Sequence, residues 1–71
     1  MITWNGHRGE TPTGWGVVLT SGEGWGQPFD TVNFYLPGSR CHIPDRSFDV
    51  EPGSLEEVKN DAEDLAEELD I

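Results

Sequence analysis

An α+β fold is predicted for this chain: a small antiparallel β-sheet followed by one C-terminal amphipathic helix. Two observations carry the prediction. Through residues 1–52, short β-branched and aromatic runs recur between turns rich in glycine and proline. After Pro52-Gly53 the pattern changes, and apolar residues recur at helical spacing to the end of the chain.

Taken in order, Ile2-Thr3-Trp4 reads as a strand closed by Asn5-Gly6, a type I′ turn signal. Residues 7–13 are polar and include Gly9 and Pro12, which predicts a loop. Trp15 to Thr20 is β-branched and aromatic, the composition of a strand. Ser21 to Pro28, with glycines around Trp25, predicts a second loop. Thr31 to Leu36 alternates, with Val32, Phe34 and Leu36 on one face and Asn33 and Tyr35 on the other. Pro37-Gly38 then predicts a type II turn and a hairpin into Arg40 to Ile43. After the short turn Pro44-Asp45-Arg46, Ser47 to Glu51 forms the last strand. The expected core is Ile2, Val17, Leu19, Val32, Phe34, Leu36, Ile43, Phe48 and Val50.

Five short strands with a tight turn before the last one resemble SH3-like barrels in strand count and turn placement, without a diagnostic motif. Closure would remove exposed edges; an open curved sheet covered by the helix is the other architecture these strands allow.

The helix is expected over residues 55–69. Leu55, Val58, Ala62, Leu65 and Leu69 are spaced 3-4-3-4 on one stripe, widened by Ala66. Ser54 and Glu57 have capping-box spacing at its start. The chain therefore reads as one domain over residues 1–71, a β module (1–52) carrying an acidic helix (54–70).

Charge is concentrated in that helix. Residues 53–71 hold eight acids against Lys59 alone, a net of −7 out of the chain's −10. Like charges at i,i+4 (Glu57–Asp61, Glu63–Glu67, Asp64–Glu68) each cost roughly 0.2–0.5 kcal/mol. Lys59 is placed to relieve part of this through Glu56 and Glu63. Such a helix needs its apolar stripe buried and gains from a cationic partner.

The remaining composition narrows the function classes. Leu, Ile, Val and Phe make up 16 of the 71 residues, just enough for a lean folded core. The lone Cys41 excludes an intramolecular disulfide and suits a reducing cytosol. Met1-Ile2 leads straight into structure with no secretory signal pattern, and no apolar run reaches membrane-spanning length. A cytoplasmic location away from membranes is expected. The acidity argues against direct nucleic-acid binding, since phosphates would repel it.

No catalytic or cofactor motif is found. Cys41 and His42 are neighbours on an expected strand, so their side chains point to opposite faces and form no dyad. His7, Cys41, His42 and Asp45 lack metal-ligand spacing. Gly14-Trp15-Gly16 and the glycines around Trp25 lack the strand–loop–helix setting and lysine of a phosphate loop. No enzyme activity, cofactor or metal is expected.

Two surfaces are candidates for binding. The first is the acidic face, Glu57, Asp61, Glu63, Asp64, Glu67, Glu68 and Asp70. Its acids recur about every 3 Å of helix rise, near the roughly 3.4 Å phosphate repeat of one nucleic-acid strand. A protein with a basic, nucleic-acid-binding surface is the expected partner, in the manner of phage-type inhibitors or DNA mimics. The second is an aromatic patch of Trp25, Phe29 and Tyr35 with Arg40 and His42, suited to a peptide or cationic ligand. A third alternative is a structural homodimer through Leu55, Val58, Ala62, Leu65 and Leu69.

Overall fold

The Asn5-Gly6 signal does reverse the chain, and a partner strand follows at once. In the computed structural model, which describes residues 1–21, 28–38 and 43–71, β1 (Thr3–Asn5) pairs antiparallel with β2 (Arg8–Glu10). Gly6 has φ 65 and His7 lies outside the positive-φ region, the pattern of a type II′ turn in place of the expected type I′.

β2 corrects the loop expected over residues 7–13. Its core-facing position is Gly9, so it carries no apolar residue to announce a strand. The ring of Trp4, the cross-strand partner of Gly9, fills the gap. A Cβ on Gly9 would stand 2.8 Å from Trp4 Cε3 and 2.7 Å from Ile2 Cγ2. The aromatic ring supplies the cover that the glycine lacks.

β3 (Gly16–Thr20), β4 (Phe29–Tyr35) and β5 (Arg46–Gly53) complete one antiparallel sheet in the order β1-β2-β3-β4-β5. The sheet is an open meander and does not close into a barrel; β1 and β5 are its edges. The expected strand over residues 40–43 lies largely outside the described residues. Ile43 belongs to no strand and is 78% exposed, so it leaves the expected core. Leu36 leaves it too, at 48% exposed, because β4 stops at Tyr35 and Pro37-Gly38 turns the chain away from the sheet.

Register explains which side chains meet. Trp4, Gly9, Val17 and Phe34 stand in line across four strands, and Leu19, Val32 and Phe48 form the next row. α1 (Leu55–Leu69) packs over this face, against β3, β4 and β5. The buried core is Ile2, Val17, Leu19, Val32, Phe34, Val58, Ala62 and Ala66, ringed by half-buried Trp4, Trp15, Phe29, Phe48, Val50 and the helix leucines. At the centre of the helix contact are Val58, Ala62 and Ala66, at i, i+4 and i+8. Small residues there bring the helix backbone close to the sheet, while Leu55, Leu65 and Leu69 reach down beside it.

Both helix ends are capped. Ser54 Oγ accepts the Glu57 N–H at 3.3 Å. At the other end Asp70 is left-handed (φ 59, ψ 46). The Ile71 N–H donates to Ala66 O at 3.0 Å and the Asp70 N–H to Glu67 O at 3.2 Å, a Schellman motif.

The opposite sheet face is polar. Asn33, only 8% exposed, donates through Nδ2 to Val18 O (3.0 Å) and Thr20 Oγ1 (3.1 Å) and accepts from Ser47 Oγ (2.8 Å). Its amide thus ties β3, β4 and β5 together. Among the described residues, no helix is long and apolar enough to cross a membrane.

Candidate functional site: two acidic flanks of the helix

The expected single acidic face is divided in two by helix geometry. At about 100° per residue, Glu57, Asp61, Asp64 and Glu68 (i, i+4, i+7, i+11) fall in one row, while Glu63, Glu67 and Asp70 fall on the other flank. From Glu57 to Glu68 the row rises about 16 Å, which spaces its charges by about 5–6 Å. The density of one acid per about 3 Å therefore belongs to two separate rows, and neither row alone has it.

The two flanks border different surroundings. Glu63 Oε1 accepts the Ile2 N–H at 3.2 Å, tying the helix to the chain just before β1. Glu63, Glu67 and Asp70 border a groove with Met1, Ile2 and Pro12. On the other flank, Asp61, Asp64 and Glu68 face β5 across a groove of about 380 Å³. Phe48, Val50 and Leu65 form the apolar part of that groove, and Asp49 and Glu51 add two more carboxylates. Glu57 sits above the start of this row, its side chain against Gly53.

Asp49 and Glu51 are the residues that sequence reasoning missed. Their alternation with Phe48 and Val50 marks a half-buried strand, but only the packing of α1 onto the Phe48 and Val50 face makes them line the same groove as the helix acids, across the strand from them. Among the described residues, the ion pairs are Arg46–Asp45 (3.3 Å) and Lys59–Glu56 (3.6 Å), and neither involves a carboxylate of this groove. Lys59, the one base of the helix, is spent elsewhere: its ammonium also lies 5.6 Å from the centre of the Trp4 ring. Three helix carboxylates beside an apolar floor, with two more on the outer face of the strand that borders it, suit a ligand that is both cationic and apolar.

The aromatic patch is not assembled by the described residues. Phe29 and Tyr35 lie at opposite ends of β4, six residues or about 20 Å apart. Phe29 packs on the core and stacks against His7 at 6.4 Å, with 18° between the rings. Trp25, Arg40 and His42 lie outside the described residues, as does Cys41. The apolar helix stripe is consumed by the fold. Val58 and Ala62 are 0% exposed against the chain's own sheet, leaving only Leu55, Leu65 and Leu69 within reach of a second copy. Among the described residues, no group of three or more His, Cys, Asp or Glu side chains is placed to hold a metal ion.

Comparison with protein-family models, curated proteins and solved structures gives no match to this chain.

Proposed function

We propose that this is a small, acidic, non-enzymatic interaction protein that binds a partner through a basic surface and blocks it. The partner surface is of the kind that holds nucleic acid, and the protein acts as an inhibitor in the manner of a phage-type polyanion mimic. One observation carries the reading: the helix and its cap residue Asp70 present seven carboxylates outside the Lys59–Glu56 pair, and the helix's only base is committed to Glu56 and the Trp4 ring. Unpaired charge at this density repels itself and draws in a cationic surface, accelerating encounter at low salt. The same charge repels phosphate, so nucleic acid itself is not a ligand. The lone Cys41 supports a reducing, cytoplasmic setting.

The test is a nuclease-treated pull-down with two baits, the native protein and a variant with Glu63→Gln, Asp64→Asn, Glu67→Gln and Glu68→Gln. The expected result is a protein held by the first bait and lost by the second, with the variant as stable as the native chain or slightly more so. A partner held equally by both baits would refute the acidic-surface reading.

A further inference from the structure

The groove between β5 and α1 has a feature that neither acidic flank has alone. It is touched by four consecutive residues of β5, Phe48 to Glu51. Phe48 and Asp49 point to opposite faces, and from Asp49 to Gly53 the strand is irregular, with residues 50–52 set against Asp30 alone, so a groove that meets all four residues runs along the edge of the strand. β5 is an outer strand of an open sheet, and that edge presents backbone N–H and C=O groups to the groove.

We propose that this groove takes an extended cationic segment of a partner protein, which adds to the sheet as a sixth strand along β5. This rests on the interaction-protein reading above and specifies its site and the conformation of the ligand. An alternating segment fits both faces of the edge. Its apolar side chains would meet Phe48, Val50 and Leu65, and its Lys or Arg residues on the other face would stand beside Asp49 and Glu51. A lysine at the end of the apolar face has a stem long enough to pass the floor and place its ammonium among Asp61, Asp64 and Glu68. A groove of about 380 Å³ accepts two or three side chains of such a strand, the rest of it lying along the open edge. A helix, at about 10–12 Å across, would ride above the edge and leave its backbone groups unpaired. A second copy is disfavoured, because like charges would face each other in a chain of net charge −10.

The probe is a short capped peptide alternating lysine with valine, titrated at low salt into the full-length protein labelled with ¹⁵N. Two further peptides carry N-methyl groups on alternate backbone amides, one for each edge, which removes strand pairing and keeps the charge. Binding of the unmodified peptide should move the amide signals of Ser47 to Glu51 and of the Asp61–Glu68 flank. At least one N-methylated peptide should bind about tenfold or more weakly, as should the unmodified peptide to the Asp64→Asn/Glu68→Gln variant. Glu10→Gln/Asp45→Asn removes the same number of charges away from the groove and should change affinity much less. If both N-methylated peptides bind as well as the parent, strand addition is wrong. Shifts confined to the Glu63–Asp70 flank would overturn the groove while leaving the interaction-protein reading standing. Absence of any peptide binding would overturn the groove as well, and the two-bait pull-down would then judge the broader reading by itself.

Discussion

Gly9 shows how one residue can hold a strand that its own side chain does nothing to specify. It stands between Trp4 and Val17 in register, and the Trp4 ring occupies the space that a side chain would need. Gly9→Ala drives a methyl group into Trp4 and Ile2, and the expected loss is about 1–3 kcal/mol, the usual cost of overpacking. Urea unfolding followed by tryptophan fluorescence measures it; an unchanged midpoint would mean that the Trp4 ring moves aside freely. Asp70 makes the opposite case. It holds a left-handed conformation that glycine adopts without strain, and it adds negative charge where the helix dipole is already negative. Asp70→Gly should therefore stabilise the protein by about 0.5–1 kcal/mol, seen as a higher melting temperature. A lower one would show that the Asp70 side chain makes a compensating contact.

At the scale of elements, legibility followed the strength of the periodic signal. α1 was readable to its ends because apolar spacing, the Ser54 cap and the upstream Pro52-Gly53 all agree, and Leu55–Leu69 is where it forms. β4 was readable through its alternation, although its last apolar residue, Leu36, lies past the end of the strand. β2 was not readable, since Arg8-Gly9-Glu10 has no apolar residue and its pairing partner is decided across the turn. The candidate acidic groove was half readable for a similar reason: Asp61, Asp64 and Glu68 follow from sequence, whereas Asp49 and Glu51 come to line it only through packing. That packing depends on small residues, because Ala62 and Ala66 lie directly over the sheet. Ala62→Leu should lift the helix and destabilise the fold by about 1–3 kcal/mol, with loss of near-ultraviolet tryptophan dichroism ahead of helical signal. Full stability in that variant would mean that the helix sits further from the sheet than the burial of Ala62 implies.

For the whole molecule, stability and binding should respond to salt in opposite directions. Fourteen acids against four lysines and arginines repel one another across a molecule with extents of 30 × 23 × 20 Å. The Debye length falls from about 30 Å at 0.01 M salt to about 3 Å at 1 M, so added salt reduces repulsion across nearly the full width of the fold. Among the described residues, the attractive ion pairs Arg46–Asp45 and Lys59–Glu56 weaken with salt too, but both involve exposed acids and contribute little. Repulsion is the larger effect, and the melting temperature should climb as sodium chloride rises from about 0.01 to 0.5 M. A cationic partner depends on the same unscreened field, so its association rate should drop over that range. Measuring both on one preparation separates the two roles of the charge. A melting temperature that falls with salt would show that ion pairs outweigh repulsion in the folded chain. An association rate insensitive to salt would place the binding energy in apolar contacts and not in the carboxylates of α1 and β5.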